Sequence, residues 1–313
     1  MTPVRMAVVG AGQFGKNHMR VIRSLERASL VAVADTDAGR AQAAAQQFEC
    51  EAVTDIAALA GKIDAAVVSA PTTAHAAISC QLLAMGIDVL IEKPIAPNME
   101  EARRINDSAP GRIVQVGHLE QFNPAVLALR KMVTIPLFFE VHRLSLFTPR
   151  SLDVDVVLDL MIHDIDILLA LTGKLPEEIR AAGISILSRK VDIANVRLAF
   201  PGGCVANLTA SRVSTEQVRK LRLFQPHQYV SLDYSKQEIA VFGVSPQKQI
   251  GFVPTNVEKQ EPLRLELEAF LDCVISRAEP LVTAAQATRA LQVSLEILAK
   301  IEEHSRIVAQ SLQ

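Results

Sequence analysis

Two dissimilar halves are predicted for this chain of 313 residues. The first is an α/β half whose parallel sheet carries helices on both faces; the second is an α+β half with an open, predominantly antiparallel sheet. Three observations carry this division. Short β-branched runs alternate with Ala-rich stretches up to about residue 118, a glycine motif joins the first strand to the first helix, and strand candidates after residue 124 follow one another through short links.

In the first half the strands are expected at 6–9, 30–34, 64–69, 88–92 and 113–117, because each is a compact apolar run bounded by turn residues. Stretches 13–27, 39–48, 74–86 and 98–107 are rich in helix formers and serve as crossovers. In the second half a helix runs from Pro124 to about 132, a strand covers 137–143, and a polar loop leads into an apolar helix at 156–171. Strands follow at 178–187, 194–200, 205–212, 218–224, 229–233 and 238–241, with Pro201-Gly202-Gly203 as a tight hairpin connection. Helices at 263–275 and 284–305 close the chain. The expected domains are 1–118 and 119–313, the closing helices being able to pack back on the first.

Half of the residues are hydrophobic and 21% are charged, which excludes a disordered chain. A formal net charge of −2 gives no basis for an electrostatic grip on nucleic acid. The basic segment Arg219-Lys220-Leu221-Arg222 reads as a solvated or substrate-facing strand able to bind anions locally. Cys50, Cys80, Cys204 and Cys273 have neither CxxC nor metal-ligand spacing, so no metal is expected and the thiols suit a reducing compartment. The opening residues lack a secretory pattern and no apolar run reaches spanning length; the expectation is a cytoplasmic protein without membrane insertion.

Gly10-Ala11-Gly12-Gln13-Phe14-Gly15 stands where strand meets helix. There Gly10 permits the turn, Gly12 lets backbone approach a pyrophosphate and Gly15 allows close packing, so a Rossmann-type dinucleotide site is expected. Asp35, twenty residues beyond Gly15, can accept from an adenosine ribose and repel a 2′-phosphate, which favours NAD over NADP. Arg40 would rescue NADP if it faced the cofactor, and would not if it faced solvent. Pro71 and Thr72 follow a strand end and are candidates to line the nicotinamide or ribose; His75 is a cofactor candidate whose other reading is a helix cap. His18 is open to packing or to a role near the glycine turn. Glu92-Lys93-Pro94 ends another strand, where Lys93 could place fixed positive charge on an alcohol oxygen or be a surface lysine.

The apolar helix at 156–171 carries Asp159, His163, Asp164 and Asp166, which must be paired or put to chemical use. Asp159 and His163 are four apart, so carboxylate and imidazole share a face, either as an acid/base pair or merely satisfying each other. Arg143 and Arg150 lie on and beyond the preceding strand, where they meet a diphosphate or pair with Asp153 or Asp155. Asn123 either contacts a sugar or caps the helix at Pro124.

Together the glycine motif, Glu92-Lys93-Pro94 and Asp159-Leu160-Met161-Ile162-His163 resemble the Gfo/Idh/MocA oxidoreductases. The resemblance implies an NAD-dependent dehydrogenase acting on a secondary alcohol, with Lys93 and His163 as catalytic pair, Asp159 in support, and Glu92 beside the cofactor. It also implies sheet-face pairing in a homodimer or homotetramer. The stretch 116–126 (VGHLEQFNPAV) is similar to sugar-nucleotide dehydrogenases that act on UDP-N-acetylglucosamine or its uronic acid, and Arg143, residues 146–150 and residues 153–166 more closely resemble the UDP-N-acetylglucosamine 3-dehydrogenases. That likeness implies a nucleotide-sugar substrate oxidised at C3, on the way to a diamino sugar of lipid A; Gln121 replaces that pattern's arginine. Inositol, free-sugar or sugar-acid oxidation, and a non-catalytic NAD-binding regulator, are the competing readings.

Overall fold

The computed structural model describes residues 2–147, 154–245 and 247–311, without the side chains of 308–311. Two compact units are formed: residues 1–119 with 261–288, and residues 120–260 with 289–313.

The first unit is a six-stranded sheet of β1 (Val4–Val9), β2 (Ala28–Ala34), β3 (Glu51–Val53), β4 (Ala65–Val68), β5 (Asp88–Glu92) and β6 (Val114–Gly117), ordered β3-β2-β1-β4-β5-β6 and parallel throughout. Its central strands β1, β4 and β5 are mainly buried apolar runs, Arg5 and the polar ends of β5 excepted, because both faces are covered. The crossovers are α1 (Gln13–Arg23), α2 (Ala38–Phe48), α3 (His75–Ala84) and α4 (Met99–Ser108), with Asp37 and Asn98 capping α2 and α4. The strand order reverses between β1 and β4, so the carboxyl ends of these two strands open the crevice where ligands bind in such sheets. Three-residue β3 escapes the sequence reading because it is too short to show periodicity.

The second unit begins with α5 (Pro124–Arg130), β7 (Phe138–Leu146) and α6 (Ile162–Thr172). Then come β8 (Glu178–Ile184), β9 (Ile193–Ala199), β10 (Val205–Ser214), β11 (Val218–Gln225), β12 (Gln228–Asp233), β13 (Glu238–Val244) and β14 (Ile250–Val253). The eight-stranded sheet is ordered β14-β13-β12-β11-β7-β10-β9-β8 and is antiparallel except at β7 and β10. One face buries Phe139, Val141, Val196, Leu198, Leu208, Leu221 and Val230 against Val126, Ile165 and Leu168, joined by Val293 and Ile297 of the last helix. Val196, Leu198 and Phe200, alternating along β9 and just beyond it, and Leu208 of β10 therefore lie in the core.

The opposite face carries an aromatic ladder instead. Phe138, Phe224, Tyr229, Phe242 and Phe252 stand directly opposed on five neighbouring strands, their ring centroids 4.9 to 5.8 Å apart.

The remaining helices are α7 (Pro262–Ser276) and α8 (Ala284–Ser311). Leu267, Phe270 and Leu271 of α7 enter the first unit's core beside Met19, Ile22 and Val33. Among the described residues no helix is long and apolar enough to cross a membrane.

Candidate active site

In the first unit the glycine turn is built for close approach. Gly10 has φ of +105°, and a Cβ there would sit 2.7 Å from the Ser69 backbone. A Cβ on Gly15 would lie 1.9 Å from the Gly10 carbonyl oxygen, so helix and turn meet only without a side chain. At Gly12 a Cβ meets nothing within 4 Å; the backbone faces open space beside the N-terminus of α1, whose N-cap makes no side-chain hydrogen bond. The amides of Gln13, Phe14 and Gly15 are thus placed to meet a pyrophosphate, and the Phe14 side chain is exposed.

Beside the turn lies a cleft of about 480 Å³ lined by Gly10, Asp35, Thr36, Arg40, Pro71 and Thr73 among others. Asp35 accepts from the amides of Ala11 and Asp37, each at 2.9 Å, and from Arg40 at 2.8 Å. Burial alone would raise the Asp35 carboxyl, but Arg40 and these amides bring it below its ordinary value. Arg40 is thereby held by an anion that the sequence reading did not give it. The cleft fits an adenosine ribose at a fixed negative charge, which suits NAD.

Pro71 lines this cleft, and Thr72 opens the short turn Thr72–Ala74 that follows. His75 corrects the expectation of a cofactor contact: it is buried, with Nδ1 3.0 Å from the Pro94 carbonyl and Nε2 2.9 Å from that of Ala70. Burial lowers its pKa against the pull of those carbonyls, and the ring ties two loops together. Glu92 is likewise turned inward, 2.7 Å from Nε2 of the buried His18, while accepting the Lys93 amide at 3.2 Å. Burial opposes ionisation of Glu92, yet His18 and Lys93 hold its pKa below the usual value. Glu92, 17% exposed, therefore links the Lys93 backbone to α1 through His18. The Lys93–Pro94 peptide is cis.

Glu266 on α7 was missed by the sequence reading. It is buried, and burial followed by the Glu92 charge pushes its carboxyl well above the ordinary range. The signal was there: at 266 an acid interrupts the apolar stripe of Leu263, Leu267 and Phe270.

In the second unit the four polar residues of the apolar helix separate into two classes. Asp164 and Asp166 are buried; Arg143 donates to both oxygens of Asp164 at 2.8 Å, and Gln121 donates to Asp166 at 2.6 Å. Asp159 and His163 are only partly buried. Asp159 stands in a π-helical turn, Val157–Met161, and His163 in the first turn of α6. Such widened turns recur at functional sites because they re-aim side chains within a helix.

Arg143 and Asn123 correct the expectation of substrate contacts. Arg143 is 2% exposed, also donates to Glu120 at 2.9 Å, and stacks 4.9 Å over the Tyr234 ring. Among the described residues its acidic partners are Asp164 and Glu120, not Asp155, and the side chain is closed off from solvent. Asn123 is buried, donates to Glu120 at 3.1 Å and the Tyr234 carbonyl at 3.0 Å, and caps α5 through the Ala125 amide. Arg150 and Asp153 lie outside the described residues. Gln121, in the position of the resembled pattern's arginine, also accepts from Arg130 at 2.8 Å.

Residues 4–118 match the family model described as oxidoreductase family, NAD-binding Rossmann fold, and residues 139–228 match the GFO/IDH/MocA C-terminal domain. A UDP-N-acetylglucosamine 3-dehydrogenase from Acidithiobacillus ferrooxidans is 32% identical over 314 residues, covering 96% of this chain and 98% of that one. Its solved structure superposes with a TM-score of 0.91 over 97% of this chain and 99% of that chain. A scyllo-inositol 2-dehydrogenase (NAD(+)) from Bacillus subtilis is 26% identical over 93% of this chain and 92% of its own length. An oxidoreductase from Agrobacterium radiobacter, solved with NAD+, L-tartaric acid and magnesium, shares the fold at 16% identity, with a TM-score of 0.84 over 96% and 97% of the two chains. With a dinucleotide cradle in one unit and an acid-bearing π turn in the other, the chain belongs to the Gfo/Idh/MocA oxidoreductases and is an NAD-dependent dehydrogenase.

Proposed function

We propose that the chain oxidises the C3 hydroxyl of UDP-N-acetylglucosamine to the 3-keto sugar nucleotide. The observation that supports this most is the end-to-end likeness to the Acidithiobacillus enzyme, which the inositol dehydrogenases match at lower identity or over less of the chain. Bound NAD+ supplies the hydride acceptor. His163 takes the hydroxyl proton as the C–H bond breaks, and Lys93 stabilises the negative charge that develops on the oxygen. Asp159 orients His163 or the sugar. The 3-keto product suits transamination toward a diamino sugar of lipid A, in a cytoplasm that keeps the four free cysteines reduced.

The test is turnover on a matched panel of UDP-N-acetylglucosamine, its uronic acid, free N-acetylglucosamine, glucuronate, myo-inositol and scyllo-inositol. NADH formation and the mass of the ketone are read together. We expect turnover on UDP-N-acetylglucosamine at least about a hundredfold above the free sugars, as loss of substrate binding groups costs rate as well as affinity. Activity confined to an inositol or free sugar would replace this assignment, and cofactor binding without turnover on any alcohol would favour a regulator.

A further inference from the structure

Arg219 on β11 sits directly opposite Arg143 on β7. Two like charges in register destabilise a sheet unless something neutralises both. Arg143 takes nearly all the compensation: both oxygens of Asp164 and the near oxygen of Glu120 bond to it, while Asn123 occupies the other oxygen of Glu120. Arg219 is left 3.9 Å from Glu120, beyond hydrogen-bond range, and its buried Nε has no hydrogen-bond partner among the described residues. Burial and the neighbouring Arg143 both lower its pKa, the opposite of what a well-paired guanidinium shows. The side chain keeps 34% exposure, so a ligand can reach it, and Asp159 of the π turn acts on its charge.

We infer that Arg219 binds an oxyanion of the substrate, a diphosphate or a carboxylate, and so sets which alcohols are accepted. This rests on the proposed reading that the π turn holds the proton-transfer group. A partly exposed guanidinium that lacks a close counter-charge beside a neutralised partner gains charge-assisted hydrogen bonds when a phosphate or carboxylate reaches its exposed part. The diphosphate contact that Arg143 cannot make falls to its cross-strand neighbour. Because this anion lies away from the reacting carbon, the interaction is shared by ground and transition states and governs KM more than kcat.

The experiment is calorimetric titration of NADH-loaded protein with UDP, inorganic pyrophosphate and glucuronate, for wild type, Arg219→Gln and Arg219→Lys. Wild type should bind at least one of these anions, and Arg219→Gln should weaken that binding about 10- to 100-fold with NADH affinity unchanged. Loss for UDP and pyrophosphate identifies a diphosphate; loss for glucuronate alone identifies a carboxylate. Equal binding by a folded Arg219→Gln, or no binding of any of the three by wild type, overturns the inference. If Arg219→Gln does not fold, Arg219→Lys carries the test: losing the planar fork should weaken binding at least about fivefold, and unchanged binding overturns it. UDP bound through Arg219 without turnover of UDP-N-acetylglucosamine would remove the proposed reaction and leave the anion site standing.

Discussion

Asp35 is held in place by two amides and one guanidinium, so its charge is both fixed and dependent on Arg40. Replacing it by serine removes the repulsion toward a 2′-phosphate and releases Arg40 to meet one. The ratio of NADH to NADPH affinity, measured by fluorescence titration, should fall at least about tenfold in Asp35→Ser; an unchanged ratio would show that discrimination lies elsewhere. A second residue governs acid stability. Asp192 accepts from the amides of Ile186, Leu187 and Ser188 and from the Ser188 hydroxyl. Burial would raise its carboxyl, but these donors lower it from 3.8 to about 2. The unfolded chain takes up this proton first as pH falls, so the stabilisation is complete above about pH 4 and is lost as pH falls through about 2. Asp192→Ala should cost about 2–3 kcal/mol near neutrality, with the difference from wild type shrinking in acid denaturation curves; a constant difference would refute this account.

At the scale of elements, the helix after β7 shows how a polar residue's position in a fold decides its work. Asp164→Asn leaves a buried guanidinium short of its counter-charge and should cost about 3–5 kcal/mol in urea unfolding, while Asp159→Asn should keep most stability and lose turnover. Equal stability loss in both would erase the distinction. Most elements around this helix were legible, since β-branched runs, glycine turns and capping residues act locally. The four polar residues on an apolar helix announced themselves for the same reason. What local pattern cannot carry is pairing across the fold. The parallel contact of β7 with β10 passes over α6, β8 and β9, and adjacent strands in sequence suggest hairpins instead. Arg143 has acidic neighbours at 153 and 155 along the chain, yet takes Asp164 and Glu120 through space. Exposed β14 escaped because no residue of it is buried and no alternation shows.

For the molecule as a whole, the uncovered sheet face sets the expected assembly. Its aromatic ladder includes Phe252 at 60% exposure and lies beside the exposed Ile250, an apolar strip that a second copy would bury. Light scattering of dilute protein should give at least twice the chain mass, and Phe252→Glu should shift the population toward monomer; an active wild-type monomer would end this expectation. The order in which the chain is made adds a separate demand. The first unit needs Leu267, Phe270 and Leu271 in its core, but residues 120–260 are synthesised before them. At ordinary ribosomal speeds the nascent sheet waits roughly 7 to 30 s with part of its apolar surface unmatched. Production of active protein should therefore depend on how well the cell shelters an unfinished Rossmann half during that interval.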